Sequence, residues 1–117
     1  MIEKLSQSEG NRLGVIFSGY RVDDADYQQL NVSIESILQE HDSLRLLLQL
    51  DFSQMHLDVL ASKLQQSPYE NSMERIAIVC DWHIYRWLLS MSDASPSIKL
   101  KHFKSTEIQN AWDWLAS

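Results

Sequence analysis

Two stretches limit the fold of this chain more than any other feature: "LRLLLQL" at 44–50 and "MERIAIVC" at 73–80. Each is almost continuously apolar and is bounded by charged or polar residues. Each is also shorter than a usual core helix. A strand with one wetted face alternates apolar and polar residues, so runs this uniform predict strands buried on both faces. Such strands need helices to cover them. Segments of helical spacing follow both runs, which are therefore expected to be adjacent, parallel and central.

The remaining segments complete the pattern. "IEKLS" (2–6) and "RLGVIFSGY" (12–20) flank the turn "QSEGN" and read as a short antiparallel pair. Residues 22–41 read as a helix capped by Asp23 or Asp24, with Leu30, Ile34, Ile37, Leu38 and His41 on one face. Residues 55–66 return to helical spacing, with Leu57, Leu60, Ala61 and Leu64 in the inward stripe. "CDWHIYRWLLSM" (80–91) reads as a helix ended by "SDASPS". "SIKLKHF" (97–103) alternates, as a strand near a sheet edge does. "STEIQNAWDWLAS" (105–117) closes as a helix capped by Ser105 or Thr106, with Ile108, Ala111, Trp112 and Leu115 inward. The expected fold class is α/β. A mixed, mostly parallel central sheet is flanked by helices in the order β-β-α-β-α-β-α-β-α, as a single domain over 1–117.

Charge and composition narrow the function. The net charge of −6 argues against nucleic acid as a partner, because phosphate binding needs a basic footprint. One cysteine, Cys80, excludes an intramolecular disulfide. No apolar run approaches the roughly 20 residues of a membrane span, and "MIEKLSQSEG" carries no signal pattern. A cytoplasmic location is expected, with a peripheral position on the inner membrane left open. The charge is uneven. Residues 82–104 hold Arg86, Lys99, Lys101 and Lys104 against the single acid Asp93, a local +3 that leaves −9 for the rest. A basic patch of this kind is either a solvated face or a partner site.

The helix at 80–91 raises the functional question. At helical spacing Ile84, Trp87, Leu88 and Met91 share one face, while Trp82, Tyr85 and Leu89 lie opposite, flanked by His83 and Arg86. A sheet covers only one of these faces. The other is expected to meet a neighbouring helix, a second copy in a homodimer, another protein, a small apolar or lipid-like ligand, or a membrane surface. Trp and Tyr suit protein and membrane contacts, and Arg86 suits a lipid phosphate or an acidic partner. On the helix at 55–66, Met55 and Val59 lie opposite the core stripe, where adaptable Met is common on binding surfaces. Both helices start at carboxyl ends of central strands, where open α/β sheets place ligand crevices. Asp51, Phe52 and Asp81 therefore mark the expected pocket edge.

Catalysis has little support. Asp51, Asp81, His56 and His83 could gather at that edge as an acid–base pair or metal ligands. No zinc-protease, Cys-x-x-Cys, phosphate-loop or nucleophile-elbow motif accompanies them. Asp51 and Asp81 each precede a helix and read as caps. Cys80 reads as a core residue, His41 as a helix C-terminal residue and His102 as part of a solvated face beside Lys101. Trp112 reads as core and Trp114 as partly exposed. No metal, cofactor or enzymatic activity is expected.

Several of these pieces, in order, resemble the SpoIIAA-like family of small bacterial proteins. They are Met1-Ile2-Glu3 with Leu5, a second strand ending near Gly19, Asp26-Tyr27, "LRLLLQLDF", "RIAIVCDW" and "AWDWL". The resemblance implies a fold similar to the STAS domain and a binding rather than a catalytic role. Its fold likeness to CRAL-TRIO lipid carriers implies a small apolar ligand or a membrane surface. STAS domains that antagonise anti-sigma factors are phosphoserine switches, with an Asp-Ser-Ser-Gly type loop after the central strand. Here that position reads Ser53-Gln54-Met55-His56-Leu57-Asp58, and no glycine follows Gly19. The departure implies that Ser53 is not a phosphorylation switch.

Overall fold

The two apolar runs are neighbouring strands of a five-stranded sheet in the computed structural model, which describes residues 1–19, 22–51 and 57–117. β3 (Leu44–Asp51) and β4 (Met73–Val79) pair in parallel, with Leu46 opposite Ile76 and Leu48 opposite Ile78. β2 (Arg12–Ser18) flanks β3 in parallel, and β5 (Lys99–Phe103) flanks β4 in parallel. β1 (Ile2–Lys4) pairs antiparallel with β2 at one edge, leaving β5 as the other. The helices among the described residues are α1 (Asp24–Leu38), α2 (Leu57–Gln65), α3 (Tyr85–Ala94) and α4 (Ile108–Ala116). The expected α/β class, with a mixed and mostly parallel sheet, is what forms.

The strand order 1-2-3-4-5 decides where the helices go. Each parallel strand lies beside its predecessor, and all steps run the same way. Right-handed crossovers then place the intervening helices on one face. Leu13, Val15, Phe17, Leu46, Leu48, Ile76 and Ile78 form the core beneath α1, α2 and α3. The alternate residues Leu47, Ala77, Val79 and Phe103 form a second core with Ala111, Trp112 and Leu115 of α4. This two-sided burial is why the runs 44–50 and 73–80 lack polar alternation.

One helix covers the second face, so the sheet must admit it closely. Gly14 of β2 supplies the space: a Cβ there would lie 2.5 Å from both Cη2 and Cζ2 of Trp112. The same face carries a row of cations across neighbouring strands, Arg12 beside Arg45, Arg45 beside Arg75 and Arg75 beside Lys99. Two of them hold the end of α4. Arg45 donates from Nη1 to the carbonyls of Leu115 and Ser117, at 2.7 Å each. Arg75 donates from Nη1 to the Trp114 carbonyl at 2.7 Å, and its guanidinium lies 5.1 Å from the Trp114 ring. These bonds satisfy carbonyls that a helix end leaves open, and the positive charge opposes the negative end of its dipole.

Several expected boundaries shift. α1 starts after Asp23, which closes a reciprocal cap with Asp26, but it ends at Leu38. His41 is therefore beyond the helix and exposed, not part of its inward stripe. α4 follows a 3₁₀ turn over Ser105–Glu107, whose start is closed by the Lys104 N–H donating to Glu107 Oε1 at 2.9 Å. Neither Ser105 nor Thr106 caps it by a side-chain bond, because the Ser105 hydroxyl is engaged elsewhere.

Gly14→Ala is expected to lower unfolding free energy by about 1–3 kcal/mol, as overpacking does. Urea unfolding measures it. Because the closest clash is with Trp112, with Leu5 Cδ1 next at 3.2 Å, Gly14→Ala combined with Trp112→Leu should lose clearly less than the sum of the single changes.

Candidate functional site

β4 leaves the sheet through Cys80–Ile84 and enters α3. α2 runs alongside: Trp87 Nε1 donates to the Leu57 carbonyl at 2.9 Å, and Gln65 Nε2 lies 3.4 Å from Met91 Sδ. Beside the first turns of the two helices an open cleft of about 530 Å³ is lined by Leu57, Asp58, His83, Tyr85, Arg86 and Trp87. It lies at the carboxyl side of the central strands, where a ligand edge was expected.

The aromatic residues divide differently from the expected two faces. α3 begins at Tyr85, with Ile84 as its N-cap residue. Trp82 therefore sits in the preceding turn, and helical spacing does not apply to it. Trp82 and Trp87 are both half-buried and pack against the main core. Tyr85 and Leu89, one turn apart on α3, are 71% and 48% exposed. Arg86 is exposed beside them. Val59 is also exposed, but on another side of α2. At helical spacing it falls roughly 40° from Lys63 and about 120° from Gln65, which touches α3. Lys63 donates to Asp24 of α1 at 3.0 Å, so Val59 turns toward α1 and away from α3. The structure thus brings Tyr85, Arg86 and Leu89 together, turns Trp82 inward and leaves Val59 apart. Phe52, Ser53, Met55 and His56 lie outside the described residues.

Asp51 ends β3 and is exposed. Asp81 caps, but not the helix it precedes. Its carboxylate accepts from the Ser105 N–H at 2.9 Å and the Ser105 hydroxyl at 2.8 Å, closing the first turn of the segment that leads to α4. Those two bonds hold the Asp81 carboxyl below its ordinary range, with Lys104 and His102 adding positive charge. This corrects the expectation that Asp81 serves α3.

The position of that bond has topological meaning. β4 leads to α3 on one face, whereas its neighbour β5 leads to α4 on the other. A divergence of this kind between neighbouring strands is where open α/β sheets place ligands. Here Asp81 and Ser105 span it. Next to them His102 Nε2 bonds the Cys80 carbonyl at 2.8 Å and lies 3.5 Å from Cys80 Sγ. The carbonyl only accepts, so Nε2 carries the proton. His102 is thus half-buried against Cys80, not on the solvated face expected for it. Cys80 is 2% exposed, and burial pushes its thiol up, which disfavours the nucleophilic thiolate. Among the described residues no three His, Cys, Asp or Glu side chains gather as a metal site.

Sequence spacing gave no sign of the Asp81–Ser105 bridge, which joins residues 24 positions apart. The cation row was likewise hidden, because register alone aligns four residues from four strands.

The fold defines the class: a STAS-like α/β domain with one mostly parallel sheet and helices on both faces. A sequence profile of the SpoIIAA-like family matches residues 13–116, and the chain belongs to that family. Comparison with curated proteins and with solved structures gave no match.

Asp81→Asn is expected to destabilise the fold at neutral pH. A carboxyl lowered in the folded state contributes stability above its unfolded value near ~3.9 and loses it as pH falls through the folded value. The gap in melting temperature between wild type and Asp81→Asn should therefore be full above about pH 5 and close in stronger acid. Melting curves across this range check it.

Proposed function

We propose that this chain is a non-catalytic binding module that engages a protein partner through the outer flank of α3. Membership of a family whose STAS-type domains are generally binding or regulatory modules supports the general role. The carrying observation is the pair Tyr85 and Leu89, 71% and 48% exposed and one turn apart, with Arg86 alongside. Large apolar side chains grouped on a surface cost free energy in water, which a partner's contact removes. Tyr and Arg are also the residues that most often anchor protein interfaces.

A second reading has its own support. The cleft of about 530 Å³ beside Tyr85 and Trp87 is of a size that takes a small apolar or lipid-like ligand. Arg86 at its rim would meet a lipid phosphate. Among the described residues no helix is long and apolar enough to cross a membrane, so membrane contact on this reading is peripheral.

Replacing Tyr85 and Leu89 together by Ser should leave the melting temperature nearly unchanged and weaken association. Sedimentation velocity, pull-down of a defined partner and liposome co-sedimentation separate the two readings. Loss confined to protein association supports the first, and loss confined to vesicle binding supports the second. A large fall in melting temperature, with all associations intact, would show that the pair only stabilises the fold.

A further inference from the structure

We infer that the free edge of β5, roofed by the outer flank of α3, is a docking edge for an extended protein segment alternating acidic and apolar residues. This deepens the protein-binding reading above and rests on it.

The edge is open in the sense that matters for pairing. β5 ends the sheet and, among the described residues, pairs only with β4. The Cys80 N–H donates to the Phe103 carbonyl at 3.0 Å, so Phe103 turns its backbone groups toward β4. Backbone direction alternates along a parallel strand, and Leu100 and His102 therefore turn their N–H and C=O groups outward. No described residue bonds those outward groups. Four backbone groups in a row form a template for one more strand.

The two sides of that edge differ in chemistry. On one side stand Lys99 and Lys101, both exposed, with Arg75 beside Lys99 in register. Lys101 lies 5.3 Å from the Phe103 ring and forms no ion pair among the described residues; nor does Lys99. Nearby carboxylates are occupied, Asp81 by Ser105 and Glu74 by Ser43 and Arg45. On the other side α3 packs over β5. Its α2-facing side carries Trp87 and Met91. At helical spacing Leu89 lies opposite that side and Tyr85 about 40° from Leu89, where Tyr85 also borders the cleft with Leu57 and Asp58. We place this flank above the free edge, on the sheet face that carries half-buried Leu100.

These chemistries select one occupant. Lysines on an edge strand keep most strands away, including a second β5, by repulsion. The same charges attract a strand with Asp or Glu at alternate positions. In such a strand the intervening residues point to the other side, where Tyr85, Leu89 and Leu100 would receive apolar side chains. Charge complementarity and apolar burial therefore demand the same alternation.

The test uses the full chain and blocked octapeptides. One alternates Glu and Val, one alternates Lys and Val, and a third is the Glu peptide N-methylated at alternate amides, made in both registers. The Glu peptide should bind, weaken with added salt, and slow exchange of the Leu100 and His102 amides. The Lys peptide should not bind, and one N-methylated register should fail. Lys99→Glu with Lys101→Glu should weaken the Glu peptide by about tenfold or more and admit the Lys peptide, since charge pairing sets partner choice. The inference is overturned by equal binding to wild type and this charge-reversed variant. It is also overturned by binding that leaves Leu100 and His102 unprotected, by equal binding of both N-methylated registers, or by a homodimer that buries β5. No binding of the Glu peptide, with association still lost in the Tyr85→Ser, Leu89→Ser variant, refutes the docking edge and leaves the protein-binding reading standing. Peptide binding unaffected by that variant refutes the part assigned to α3.

Discussion

The parallel pairing of β3 with β4 is the constraint on which the rest depends. Leu46, Leu47 and Leu48 face both ways from one strand, Ile76, Ala77, Ile78 and Val79 from the other, and all are fully buried. Neither strand tolerates water on either side. Helices are therefore required above and below, and any partner surface must lie on the outside of those helices or at the sheet's edges. Buried apolar area of this extent is the main favourable term in folding.

The two cores meet the requirement unequally. Among the described residues three helices share one face, whereas α4 alone covers the other. A single short helix contributes less burial, and its attachment relies on specific devices: the missing Cβ at Gly14 under Trp112, and the guanidinium groups of Arg45 and Arg75 at its end. The Asp81–Ser105 bond ties the start of the same segment to the end of β4. It spans the divergence between β4 and β5. The proposed binding surface lies outward of this bond, on α3 and the edge beyond it.

α3 shows how one boundary changes a functional reading. Counting helical positions from Trp82 puts three large apolar residues on an outer face. Starting the helix at Tyr85 leaves Tyr85 and Leu89 there and removes Trp82, which is half-buried against the core. Val59 looked like part of the same surface, because wheel positions say nothing of which neighbour each side of a helix meets. The Lys63–Asp24 contact answers that, and it is a contact between segments 39 residues apart.

Patterning by itself determined the strands, their alternation with helices along the chain and the α/β class, because burial on two faces writes itself into a run of apolar residues and burial on one into alternation. The resemblance carried by those runs extended to the SpoIIAA-like family. The exposed positions Tyr85, Arg86 and Leu89 were legible for the same reason. Tertiary structure alone decided where α3 starts, which carboxylate caps which segment, and that His102 turns to Cys80. It also aligned the four cations of the second face and left Lys99 and Lys101 beside an open edge. Each of these is a pairing between distant segments, set by strand register and helix packing, and neither leaves a local period for a sequence to display.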